Sequence, residues 1–130
     1  MKRLVLYLFI TALIPSAILR AQSARQYFKA GEDFYESMSY FDAIEQYTKA
    51  LELDPKLPEA HRSLARYYMF TEQPAEAEQC LLKTVELNPK YAVGYRTLAW
   101  LKRSVGHDEA ANGYSKRALE LAPTDLETLL

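Results

Sequence analysis

Apolar residues recur three and four apart along most of the chain, as in Tyr27, Ala30, Gly31 and Phe34, and this spacing draws one stripe along a helix. A second stripe, Ala43, Tyr47 and Ala50, follows a short break, and the alternation of stripe and break then repeats. The breaks fall at Ser37 to Tyr40, Thr71 to Pro74 and Ser104 to Asp108, where Ser39, Pro74 and Gly106 favour turns. The pattern predicts antiparallel helix pairs and an all-α chain.

The pairs keep a fixed period. Pro55, Pro89 and Pro123 are 34 residues apart, each behind a matching segment that ends at Asp54, Asn88 or Ala122. The same period holds for Tyr27, His61 and Tyr95, for Phe34, Tyr68 and Lys102, for Gly31, Ala65 and Ala99, and for Ala43, Ala77 and Ala111. A fixed period with small residues in fixed columns marks a helical solenoid. The first unit, Tyr27-x-x-Ala30-Gly31-x-x-Phe34 followed by Ala43-x-x-x-Tyr47 and Pro55, resembles a tetratricopeptide repeat. The resemblance implies a right-handed superhelical solenoid of three units at 24–57, 58–91 and 92–125, with about six helices and the start of a seventh at 126–130.

The physical reading of these columns agrees with the resemblance. Gly31, Ala65 and Ala99 let a paired helix approach closely, as do Ala43, Ala77 and Ala111. Each proline bars helix continuation and restrains the residue before it, so Asp54, Asn88 and Ala122 are expected helix ends. The third unit departs from the pattern. Lys102 stands in an aromatic column, Ser115 in a bulky apolar one, and Gly113 lies inside the second helix, with Tyr114 placed to cover part of the gap. This unit is expected to be the least stable. The apolar ending Leu126 to Leu130, after Asp125 as an N-cap, reads as unfinished: a truncated segment, or a last helix that a partner completes.

Met1-Lys2-Arg3, the apolar run Leu4 to Ile14, Pro15 and the small or polar residues up to Ser23 read as a Sec-type signal peptide over 1–22. Cleavage is expected after Ala21 or Ser23, although Leu19 and Arg20 are awkward neighbours for a cut. The other reading is an inner-membrane anchor over 4–19. An exported chain would be periplasmic or associated with the outer envelope. No cysteine stands near the end of the signal, which excludes a lipoprotein acylation site.

Composition adds little beyond this. Formal charge is −1, from 16 Lys and Arg against 17 Asp and Glu, and cleavage after Ala21 would leave 13 basic and 17 acidic residues, a charge of −4. Neither value attracts nucleic acid. Cys80 is the single cysteine, so no internal disulfide is available, and it reads as a small apolar filler ahead of an intermolecular disulfide or a reactive thiol. His61 lies in a tyrosine column and His107 in a turn, 46 residues apart, without metal-ligand spacing, so no metal and no cofactor is expected. Glu76 and Glu78 read as solvated. Nothing resembles a nucleophile elbow, a phosphate-cradling loop or an EF-hand, and the chain is expected not to be an enzyme.

In the resembled family the first helix of each pair lines a concave face. The matching columns are Arg25, Glu59 and Val93; Phe28, Arg62 and Arg96; Glu32, Arg66 and Trp100; and Tyr35, Met69 and Arg103. Spacings of three, four and three residues put each set on one helix face. The candidate peptide groove is therefore Phe28, Glu32, Tyr35, Arg62, Arg66, Met69, Arg96, Trp100 and Arg103, with Trp100 as anchor. Arginine forks bind carboxylates bidentately, which suits an acidic peptide or a C-terminal carboxylate. The bland alternative is a solvated charged face. The carboxylate clamp of chaperone-binding relatives would fall on Phe28, Glu32, Ser63, Val93 and Thr97, and none carries the clamp's residue type, which counts against a cytosolic cochaperone. The expected function is an envelope scaffold that binds a partner protein or peptide, with no small-molecule substrate. The alternative is an accessory module of a larger peptidoglycan-associated or peptidase protein.

Overall fold

A computed structural model describes residues 15–123. Among the described residues six helices follow one another: α1 (Ser16–Glu36), α2 (Tyr40–Leu53), α3 (Pro58–Phe70), α4 (Pro74–Leu87), α5 (Ala92–Ser104) and α6 (Asp108–Leu121). There is no strand among the described residues. α1 packs on α2, α3 on α4 and α5 on α6, while α2·α3 and α4·α5 join one pair to the next, so the array is a solenoid of helix pairs.

Small residues make the seams. Ala43, Ala50, Ala60, Ala65, Ala77, Ala99, Ala111 and Ala118 are all buried, which leaves room for Tyr47, Leu81 and Leu98 as the largest enclosed side chains. Gly31 shows why the column is small: a methyl added there would lie 2.5 Å from Cε1 of Tyr47 and 3.2 Å from the Ala43 carbonyl. Gly94, which the repeat columns do not single out, is also buried, and a methyl would meet Val85 at 3.0 Å and Thr84 at 3.2 Å.

The turn within each pair is built the same way three times. Met38, Glu72 and Gly106 each adopt a positive φ, of 63°, 57° and 80°. Around them Ser39, Gln73 and His107 donate backbone N–H groups to Phe34, Tyr68 and Lys102, while Met38, Glu72 and Gly106 donate to Tyr35, Met69 and Arg103. This is the Schellman arrangement, in which one left-handed residue lets the last orphan carbonyls of a helix find donors. Between pairs, Asp54, Asn88 and Ala122 cap the second helices as expected from the prolines that follow. Asp54 and Asn88 also accept from the backbone N–H of Lys56 and Lys90, a local turn bond that Ala122 cannot make.

Two expectations change, at Lys102 with Glu78 and at the rim residues Tyr27 and Phe34, while Tyr114 packs as expected. Lys102 does not leave a hole in the aromatic column: its stem is drawn in to 13% exposure and its ammonium meets Glu78 at 2.6 Å, so Glu78 is an ion-pair partner and not a solvated side chain. Tyr114 packs against the cluster of Ala65, Ala77, Leu81, Leu98 and Leu101, covering the position that Ser115 leaves thin. Tyr27 and Phe34 sit at the rim of the core, each more than a third exposed. Residues 1–14 and the ending at 126–130 lie outside the described residues, whereas Ser16 to Ser23 form the first turns of α1.

Candidate functional site

Side chains of α1 and α3 meet across the first two pairs, and side chains of α3 and α5 line a common cleft. The α1–α3 half of this surface is closed by its own chemistry. Glu32 on α1 accepts hydrogen bonds from the Tyr47 hydroxyl at 2.5 Å and the Ser63 hydroxyl at 2.9 Å. Arg66 on α3 lies 4.0 Å from the same carboxylate and stacks its guanidinium 4.1 Å from the Tyr35 ring. Burial first, and the adjacent Glu32 carboxylate second, push the Tyr47 phenol above its ordinary range, so it remains a donor. Tyr40 extends this surface by packing its ring 5.3 Å from Tyr35 and 5.2 Å from Phe70.

Of the nine expected groove residues, four are therefore committed to the fold. Glu32, Tyr35 and Arg66 bond or stack with one another, and Phe28 turns inward, packing against Ala50, Leu57 and Ala60 with its ring 5.9 Å from Tyr47. The sequence could not reveal the Glu32 network, because Tyr47 comes from the second helix and Ser63 from the next unit. Arg96 is engaged in an interaction of its own.

The α3–α5 half is open. Trp100 is 58% exposed. Met69, Trp100, Leu101 and Val105 line a cleft of about 410 Å³, with Glu72, Pro74 and Ser104 completing its wall. Arg103 is exposed, and Arg62 has no ion-pair partner among the described residues. Two polar atoms on successive turns of α3, Oε2 of Glu59 and Nε of Arg62, are buried without a hydrogen-bond partner. Such atoms are uncommon in folded proteins.

Other chemistry is sparse. His61 is occupied structurally, its Nε2 lying 2.9 Å from the Pro55 carbonyl. Burial pushes the Cys80 thiol up, which favours the filler role over a reactive thiolate. No group of three or more His, Cys, Asp or Glu among the described residues could hold a metal ion.

Comparison with known proteins agrees with the helix-pair geometry. Residues 31–69 match a family model described as TPR repeat, and residues 59–91 match one described as Tetratricopeptide repeat. The chain contains tetratricopeptide repeats. Its third helix pair continues the same period and the same turn construction. Hsp70-Hsp90 organizing protein 2 of Arabidopsis thaliana is 31% identical over 100 residues, covering 76% of this chain and 17% of the relative. U-box domain-containing protein 70 of Oryza sativa subsp. japonica is 26% identical over 111 residues, 85% of this chain and 14% of the relative. The chain thus spans about one sixth of the length of these curated relatives. Among solved structures, the first TPR of Spaghetti (RPAP3) bound to the HSP90 peptide SRMEEVD superposes with a TM-score of 0.79 at 28% identity, covering 84% of this chain and 86% of that one. The Arabidopsis OM64 TPR domain, at 18% identity and a TM-score of 0.79 over 85% of this chain and 91% of that one, shares the fold.

Proposed function

We propose that these tetratricopeptide repeats form a scaffold that holds a partner protein by a peptide segment laid on the α3–α5 half of the first-helix face. The observation that carries this reading is Trp100, a large aromatic ring more than half exposed over an apolar cleft. An exposed indole beside such a cleft is the usual anchor of a protein interface. The peptide carried by the Spaghetti structure supports a peptide ligand for this chain as well.

That likeness does not extend the HSP90 peptide itself to this chain. At the positions of the family's carboxylate clamp stand Phe28, Glu32, Ser63, Val93 and Thr97. Glu32 is itself a carboxylate, already held by Tyr47 and Ser63, and it repels a second one. The test is capture of partners from cell extract by the full chain, with Trp100→Ala combined with Arg103→Glu as the comparison. The double variant should lose the principal partner while keeping its helical circular dichroism, and undiminished capture by the folded variant would refute the groove.

Export to a bacterial envelope is the proposed setting, supported by Lys2, Arg3 and the apolar run Leu4 to Ile14. No helix among the described residues is long and apolar enough to cross a membrane. The mass of the protein recovered from a Gram-negative host decides between the readings: loss of 21 or 23 residues supports a cleaved signal, and an intact Met1 supports the anchor.

A further inference from the structure

The turn edge of the first two pairs carries an apolar surface that the packing does not use. Phe41 is 84% exposed, Met38 75% and Phe70 69%. Tyr40, between Met38 and Phe41 in the chain, packs its ring 5.2 Å from that of Phe70 and so joins the α1–α2 turn to the end of α3. Exposed apolar side chains scattered singly are ordinary, whereas three large ones gathered about a shared ring mark an interaction surface. Met38 sharpens the case. It holds a φ of 63°, a conformation that disfavours a side chain, and the third pair fills the same place with Gly106. A thioether kept on strained backbone and left in solvent does not fill the core, and such strain collects at ligand contacts.

The rim decides the occupant. Residues 30–48 and 67–82, which hold both turns, contain no Lys or Arg. Glu36 and Asp42 bracket Met38 and Phe41, and Glu72 and Glu76 follow Phe70, all four exposed and none in an ion pair among the described residues. Arg66, whose guanidinium lies over the neighbouring Tyr35 ring, is braced by Glu32. The uncompensated carboxylates attract a cationic partner and repel an anionic membrane surface. The backbone narrows the form of that partner. Both turns spend their last carbonyls internally, Phe34 and Tyr68 accepting from Ser39 and Gln73, so no main-chain edge is left for an extended strand to pair with. A helix, whose own main chain is bonded internally, needs only the rings, the thioether and the carboxylates. We infer that this edge docks a basic amphipathic helix of a partner protein, its apolar face on Met38, Phe41 and Phe70 and its Lys or Arg residues on the surrounding carboxylates. Of these residues the site shares only Glu72 with the cleft under Trp100.

The probe is a synthetic helix of about 18 residues, or five turns, with Leu on one face and Lys on the other, read by fluorescence anisotropy against the full chain. Two controls accompany it: the same pattern with Glu in place of Lys, and a scrambled Leu/Lys peptide of equal composition. The Leu/Lys helix should bind about tenfold more tightly than either control. Met38→Gly combined with Phe41→Ser relaxes the strained turn and removes a ring already in solvent, so helical circular dichroism should persist while binding falls about tenfold. Trp100→Ala should leave that binding unchanged, which separates this site from the groove proposed above. Glu36→Lys combined with Asp42→Lys should turn the preference toward the Leu/Glu helix, a gain that misfolding cannot produce. Equal binding of the scrambled peptide would reduce the effect to bulk charge and overturn the assignment, as would full binding by the Met38 and Phe41 variant. A chain that dimerises through Phe41 in sedimentation, or that binds phosphatidylcholine vesicles but not the Leu/Lys helix, would overturn it too, because either places a different occupant on the patch.

Discussion

At the scale of single residues, two glycines of similar appearance have opposite roles. Gly31 is enclosed by Tyr47 and the Ala43 carbonyl, so an added methyl collides with a ring that Glu32 holds in place by hydrogen bonding. Gly113 lies in the middle of α6, and a methyl there would meet nothing within 4 Å. Helix propensity alone favours Ala over Gly by about 1 kcal/mol at both positions. Packing reverses the sign at Gly31, where overpacking costs about 1 to 3 kcal/mol. Gly31→Ala should therefore lower the midpoint of urea denaturation, and Gly113→Ala should raise it. A rise in both would mean that the Tyr47 ring moves freely, contrary to its anchoring by Glu32.

At the scale of elements, the turn within each pair requires one left-handed residue, and the three units fill that position with Met38, Glu72 and Gly106. An L-residue with a side chain in this conformation costs roughly 1–2 kcal/mol, whereas Gly adopts it freely at an entropic cost of about 0.5–1 kcal/mol. Met38→Gly and Glu72→Gly should each stabilise by up to about 1 kcal/mol, and Gly106→Ala should destabilise by a similar amount, all measurable as shifts of the thermal midpoint. Opposite shifts for the first two would show that Met38 or Glu72 makes contacts that outweigh the strain. The period and the helix breaks are legible in the sequence because spacing and turn formers are local signals. The left-handed column is only partly legible, since Gly106 alone advertises it. The ion pair of Lys102 with Glu78 and the Glu32 network are not legible, because each joins residues of different helices whose facing depends on the packing angle between pairs. For the same reason four of the nine groove residues turn inward or toward one another, and the proposed site contracts to the α3–α5 half.

At the scale of the whole molecule, a solenoid is held by neighbour contacts alone, so local stability follows how well each pair is flanked. The α3–α4 pair is joined to α2 on one side and α5 on the other, and it contributes Ala65, Ala77 and Leu81 to the enclosed cluster. Among the described residues α6 packs chiefly on α5, buries only Ala111 and Ala118, and carries Gly113. Its C-cap residue is Ala122, without the local turn bond that Asp54 and Asn88 supply in the earlier units. Native-state hydrogen exchange should accordingly show α6 amides opening at a lower free energy than those of α3 and α4, in a separate step and not in global unfolding. Gly113→Ala should narrow that gap from the α6 side, because it strengthens the helix without touching its neighbours. Equal protection across α3, α4 and α6 would mean that the three pairs unfold as one unit, and that Tyr114 and the Lys102–Glu78 pair couple the third pair to the second more tightly than flanking alone provides.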